Sequence, residues 1–173
     1  MRSGKDDRLE GKTVSSRLIW ASASLAIAVA SCGGSSTTST ASPAATCVNA
    51  SAAHRAYVVV EHLSGTSLQS CVGFNGDTVD GQALMDQSRI EYQTQTFSFG
   101  KGVCQVDNEP KQFSECLPKN QPYWSLWVEA GGRWTMAQVG YTQIQVHDKE
   151  ALGWHYVQAT DQNPSPPPLA KAG

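Results

Sequence analysis

Composition divides this chain before any element is assigned, and the division limits what can fold. Residues 18–30 are thirteen positions without a charge, preceded by Lys12 and Arg17 and ending in small residues. That run is too short to span a membrane and has the form of a secretory signal. Residues 33–46 are all Gly, Ser, Thr, Ala or Pro, the composition of a flexible tether. At the far end, residues 162–173 contain Pro164, Pro166, Pro167 and Pro168. Prolines remove backbone donors and favour an extended polyproline II conformation, so this tail is expected to hang free, disordered. What remains, residues 47–161, is the size of one ordinary domain with a single hydrophobic core.

The four residues Val29-Ala30-Ser31-Cys32 at the end of the apolar run resemble a bacterial lipobox. The resemblance implies cleavage before Cys32 and a lipid on its sulfur. Residues 1–31 are then a signal peptide, 32–46 a tether, and the domain works outside the cytoplasm, anchored to the cell membrane. Beyond Cys32 there are eight Lys or Arg against twelve Asp or Glu, and no basic cluster. A mildly acidic surface of this kind disfavours nucleic acid as a partner.

Export also fits the cysteines. With Cys32 set aside, Cys47, Cys71, Cys104 and Cys116 are an even number in an oxidising compartment, which allows three pairings. Cys104 with Cys116 is favoured, because the two flank a polar loop with a proline, residues 105–115, and closing it stabilises the fold by about 3 kcal/mol on the loop-entropy argument. Cys47 with Cys71 follows by elimination. A four-cysteine metal site is the competing reading, but there is no Cys-x-x-Cys knuckle, and His54, His62, His147 and His155 are scattered without ligand spacing. No metal and no cofactor are expected.

The rest reads as short strands with one helix. β-Branched and aromatic runs over 55–63 and 68–74, joined by Ser64-Gly65-Thr66-Ser67, predict a hairpin. Residues 78–88 carry a cap at Thr78 or Asp80 ahead of Ala83, Leu84 and Met85, the only convincing helical stretch. Further strands are expected over 90–96, 103–106, 123–128, 134–137, 141–146 and 152–157, with a turn at Asp107-Asn108-Glu109-Pro110. The class is α+β with a mixed sheet, one short helix and a single domain.

Gly81-Gln82-Ala83-Leu84, Ile90-Glu91-Tyr92, Phe97-Ser98-Phe99-Gly100, residues 103–110, residues 123–128, Trp134 and Gly153-Trp154-His155-Tyr156 occur in an order that resembles the transcobalamin-like C-terminal domain family. The resemblance covers nearly all of residues 47–161. It implies a β-grasp sheet carrying one helix, and export in bacteria; most such domains have no assigned function. Vertebrate relatives bind cobalamin, with this domain closing over one face of the corrin while a larger helical-repeat domain, not contained in these residues, supplies the rest. The resemblance thus implies a fold, and only by extension a ligand.

Strand alternation puts Tyr123, Ser125 and Trp127 on one side and Trp124, Leu126 and Val128 on the other. Most of the aromatic content is needed to fill the core. Tyr123, Trp127, Trp134 and Tyr141 gather around the last hairpin and are the candidate ligand-binding platform, provided that they share an exposed face. No nucleophile elbow, His-Glu-x-x-His or phosphate-binding loop is present, Glu61 and His62 point apart in a strand, and Asp107, Glu109, Asp148 and Glu150 fit turns. No catalytic residue is expected, and an enzyme is disfavoured. Two functions remain. One is a lipid-anchored binding protein for a corrinoid or similar planar molecule, working with a membrane transporter in nutrient uptake. The other is a surface protein-interaction module without a small ligand. An exposed cleft lined by Trp127 and Trp134 favours the first, their burial the second.

Overall fold

The computed structural model describes residues 46–171. The lipobox Cys32 and the signal and most of the tether lie outside them. β1 (His54–Glu61) and β2 (Ser67–Phe74) form the expected hairpin, His54 opposite Phe74 and Glu61 opposite Ser67. β3 is the two-residue Val79–Asp80, and α1 (Gly81–Gln87) follows at once. Asp80 caps the helix by accepting a hydrogen bond from the Ala83 amide at 2.9 Å. β4 (Tyr92–Phe97) and β5 (Gly100–Val106) make a second hairpin with a bulge at Gln93/Thr94. β6 (Tyr123–Ala130) and β7 (Arg133–Met136) turn through Gly131-Gly132, both at positive φ.

The last stretch departs from expectation. Residues 141–146 were expected to be one strand; instead Tyr141–Gln143 is a 3₁₀ turn and only Gln145–Val146, β8, is extended, paired with β3. The turn lets Tyr141 point into the core rather than along a sheet face, and its backbone presses so closely on α1 that a Cβ on Gly81 would sit 2.2 Å from the Tyr141 carbonyl oxygen. β9 (Ala151–Val157) then runs up the middle of the main sheet.

That sheet has the order β2-β1-β9-β6-β7 and is mixed, with β1 and β9 parallel and every other neighbour antiparallel. Among the described residues the architecture is therefore α+β, mostly sheet with one short α-helix. On the inner face Val58, Val60, Val72, Leu152 and Trp154 meet Leu84 and Met85 of α1. The Trp154 Nε1 donates to Met85 Sδ at 3.2 Å. Among the described residues there are two disulfides, Cys47–Cys71 and Cys104–Cys116. The first ties the N-terminal segment along the β2 edge, where Val48 donates to the Cys71 carbonyl and accepts from Gly73, so this edge is not left bare.

The outer face holds the second correction. The tail does not hang free: Pro164 and Pro167 are buried and Ala170 half-buried against the sheet, while the residues between them are exposed. Polyproline II has three residues per turn, so every third side chain of such a segment faces the same way. Burial at every third residue fits that period, and composition did not reveal the surface that covers these residues.

Tyr92 and Tyr141 meet edge to face at 6.2 Å on the inner side, and the Tyr92 hydroxyl donates to Asp86. Burial first, and for Tyr92 then the Asp86 carboxylate, push both phenols above their ordinary value. A phenol whose value is raised by folding contributes stability that is intact below about pH 10, where the unfolded phenol begins to ionise, and lost above it. Urea midpoints are expected to hold steady through neutral pH and to fall above about pH 10. In a Tyr92→Phe variant that alkaline decline should be shallower.

Candidate functional site

Because β1 and β9 are parallel, their C-terminal ends emerge together at one end of the sheet, and β5 ends beside them. His62 follows β1, Tyr156 lies near the end of β9, and residues 107–111 follow β5. After Val106 the chain reverses through Asp107 and Asn108, both at positive φ, with Val106 and Glu109 exchanging both backbone hydrogen bonds. Two central residues at positive φ are the signature of a type I′ turn, and Asp and Asn tolerate that region best among residues with a Cβ.

The turn aims two carboxylates at one imidazole. His62 Nδ1 lies 2.6 Å from Glu109 Oε2, and its Nε2 lies 3.0 Å from Asp107 Oδ2. The same Glu109 oxygen accepts from the Leu63 amide at 3.3 Å, and the Glu109 carbonyl accepts from Trp124 Nε1 at 3.0 Å. Gln105 Nε2 donates to the Pro110 carbonyl at 2.6 Å. The turn is thus tied to the residues that follow β1, to β5 and to β6. Trp124 packs on Tyr156 with ring centroids 4.8 Å apart and meets the His62 ring edge to face at 6.3 Å. Burial and then the charge of Glu109 hold the Tyr156 phenol above its ordinary value.

Above these groups is an open basin of about 340 Å³, floored by His62, Glu109, Pro110 and Tyr156 and rimmed by Asp107 and Lys111. Across Pro110 and Tyr156 it adjoins a narrow cavity of about 50 Å³ beneath the loop closed by Cys104–Cys116, with Tyr123 and Trp124 in its wall. The basin falls within the range of about 300–1,000 Å³ typical of small-molecule sites. The narrow cavity has room for only a few waters.

What the basin can do chemically is limited by how its groups are engaged. Each ring nitrogen of His62 faces a different carboxylate, on opposite edges of the imidazole, so the three side chains do not converge on one point as metal ligands must. Among the described residues no cluster of three or more His, Cys, Asp and Glu is arranged to hold a metal ion. Among the described residues the side-chain hydrogen bonds of the His62 ring are those to the two carboxylates. The hydrogen bonds above engage Asp107 Oδ2 and Glu109 Oε2; the second oxygens of these partly exposed carboxylates, with the Tyr156 ring and Lys111 in the same lining, are suited to meeting a cationic group.

The expected aromatic platform does not form. Tyr123 faces the narrow cavity. Trp127 is buried on the outer face, donating its Nε1 hydrogen to Ser125 Oγ at 3.0 Å. Trp134 lies half-buried on that face beneath the tail, and Tyr141 is buried on the inner side against Trp154. Alternation assigned these residues to faces but did not reveal that the tail covers one of them. Conversely, nothing in the spacing of residues signals that His62 joins Asp107 and Glu109. They lie 45 and 47 positions apart, and only the Asp107-Asn108-Glu109-Pro110 turn signal marked the place. Cys32, the predicted lipidation site, lies outside the described residues.

No known family model matches the chain, and no curated protein matches it. One similar solved structure is that of a "putative metal binding protein" from Ruminococcus gnavus, 17% identical with a TM-score of 0.44, over 61% of this chain and 97% of that one. At that distance the likeness assigns neither ligand nor activity.

Replacing His62 with Ala removes the partner of both carboxylates and should loosen the 107–110 turn. An expected cost of about 1–2 kcal/mol in urea unfolding follows, since hydrogen bonds to charged groups contribute more than neutral ones but this pair is partly hydrated.

Proposed function

We propose that this chain is an exported, lipid-anchored binding protein that captures a small molecule in the basin between His62, the 107–111 turn and Tyr156. The observation that carries the proposal is the basin itself: an open hollow at the strand ends with Asp107 and Glu109 in its lining beside His62 and Lys111, braced by hydrogen bonds from Leu63, Gln105 and Trp124 and filled by no segment among the described residues. The ligand class is a compact body with a cationic centre, its charge against Asp107 and Glu109 and its flat side toward Tyr156. The sheet order β2-β1-β9-β6-β7, with a parallel central pair and one helix across a face, supports a β-grasp reading. It agrees in kind with the resemblance to the transcobalamin-like C-terminal domain family. On that reading a cationic corrinoid, delivered to a membrane transporter, is the ligand to try first, with the basin rather than Trp127 and Trp134 as its contact.

Titration of the oxidised chain with cobinamide, read by tryptophan fluorescence with inner-filter controls, should saturate at micromolar concentration or below. Asp107→Asn with Glu109→Gln should weaken binding at least ten-fold, and haem, which carries carboxylates, should bind more weakly than cobinamide. Absence of saturation with cobinamide would refute the corrinoid reading. For the anchor, Cys32→Ala should move the exported protein from the membrane to the soluble fraction; an unmodified Cys32 thiol in native, released protein would refute lipidation.

A second reading, a protein-interaction module, draws on the tip of the β4–β5 hairpin. Phe99 is 65% exposed and stacks on Phe97 at 5.1 Å, while the ring of Phe97 and Leu117 both lie against Gly102. An apolar tip of this kind suits a partner's surface better than a small ligand.

A further inference from the structure

We propose that the outer face of the main sheet is a docking groove for a proline-rich segment of another polypeptide, held in the present state by the chain's own tail. The groove is shaped for its occupant. A Cβ on Gly153 would lie 2.6 Å from the Trp134 ring and 2.8 Å from Pro167 Cγ, so the missing side chain at the centre of β9 is what allows the indole and the proline to close over the sheet. Pro164, Pro167 and Ala170, every third residue, are the covered ones, which is the period of polyproline II; Pro167 lies over Gly153, and Ala170 packs on Tyr57, Val59 and Ala151. An aromatic-walled groove that takes a preformed polyproline II segment by alternate contacts is a recurring mode of peptide recognition.

The tail is held in a way that permits exchange. It adds no strand to the sheet. Its polar ties are the Gln69 side chain, which donates to the Lys171 carbonyl at 2.6 Å and accepts from the Lys171 amide at 2.8 Å, and His155 Nδ1, 2.7 Å from the Ser165 carbonyl. Leu169, the bulkiest apolar residue in the tail, is half exposed. The Trp134 Nε1 hydrogen is buried without an acceptor among the described residues, a donor that the tail leaves unused. Residues 158–163, which join β9 to Pro164, are all exposed. Six residues span at most about 20 Å, so exchange of tails between two copies would require their outer faces to be almost in contact, whereas a segment of a different polypeptide has no such constraint.

The test uses the full chain and a capped synthetic peptide of residues 163–171. In intact protein the tail competes at a millimolar effective concentration. Pro164→Asp with Pro167→Asp places carboxylates where the groove is apolar and frees it. This variant should bind the peptide saturably by tryptophan fluorescence, at least ten-fold more tightly than the intact chain does. A peptide in which both prolines are replaced by Asp should not bind. In the intact chain, excess peptide should remove hydrogen-exchange protection from the Lys171 amide, a readout that decides the matter even if the variant does not fold. The proposal is overturned if the folded variant does not bind, if intact and variant chains bind equally, or if Lys171 stays protected at millimolar peptide. Self-association of the intact chain reversed by the peptide would assign the groove to the tail of a second copy, and would likewise overturn it.

Discussion

The parallel pairing of β1 with β9 is the constraint on which the other features depend. It joins Val58 to Leu152 and Val60 to Trp154 across roughly ninety residues of sequence. Parallel strands are usually buried on both faces, and these two are: their inward residues meet α1, and their outward residues, among them Val59 and Ala151, lie under the terminal segments. A pairing this distant in sequence closes at an entropic cost, which the continuous apolar run of Val58-Val59-Val60 against Leu152-Gly153-Trp154 must offset. With it in place, β2 and β6 have edges to add to, and the remaining strands follow by antiparallel contact.

The same pairing creates the candidate site. Two parallel strands must end on the same side, so His62 and Tyr156 are brought together without any sequence proximity. The type I′ turn after β5 then delivers Asp107 and Glu109 to the histidine, and Trp124 braces the Glu109 backbone from β6. The basin is therefore a property of strand direction, and its acidic lining is held by side chains whose positions the sheet has already fixed.

Much of this was legible in the sequence. The β1–β2 and β6–β7 hairpins, the Asp80 cap and the turn at 107–110 each carry a local signal that the structure keeps, because each is set by residues within a few positions of one another. Three features were not. Residues 141–146 read as a strand, yet close contact with α1 goes with a 3₁₀ turn at Tyr141. Trp127 and Trp134 read as a ligand platform because alternation fixes the face of a side chain and is silent about what covers it. The His62 cluster depends on a crossing of strands, which no spacing in the chain encodes. The tail stands between these cases. Its period, Pro164-x-x-Pro167-x-x-Ala170, is visible in the sequence, but it acquires meaning only beside the bare backbone of Gly153.

The most direct test of the account is to record amide and indole resonances of the isotopically labelled, oxidised chain during titration with cobinamide. The account predicts progressive shifts at His62, at residues 107–111, at the Trp124 indole and at Tyr156, with Gly153 and Trp134 unmoved. Shifts centred on the outer face, or none at any of these positions, would contradict the claim that the basin at the strand ends is where this protein binds.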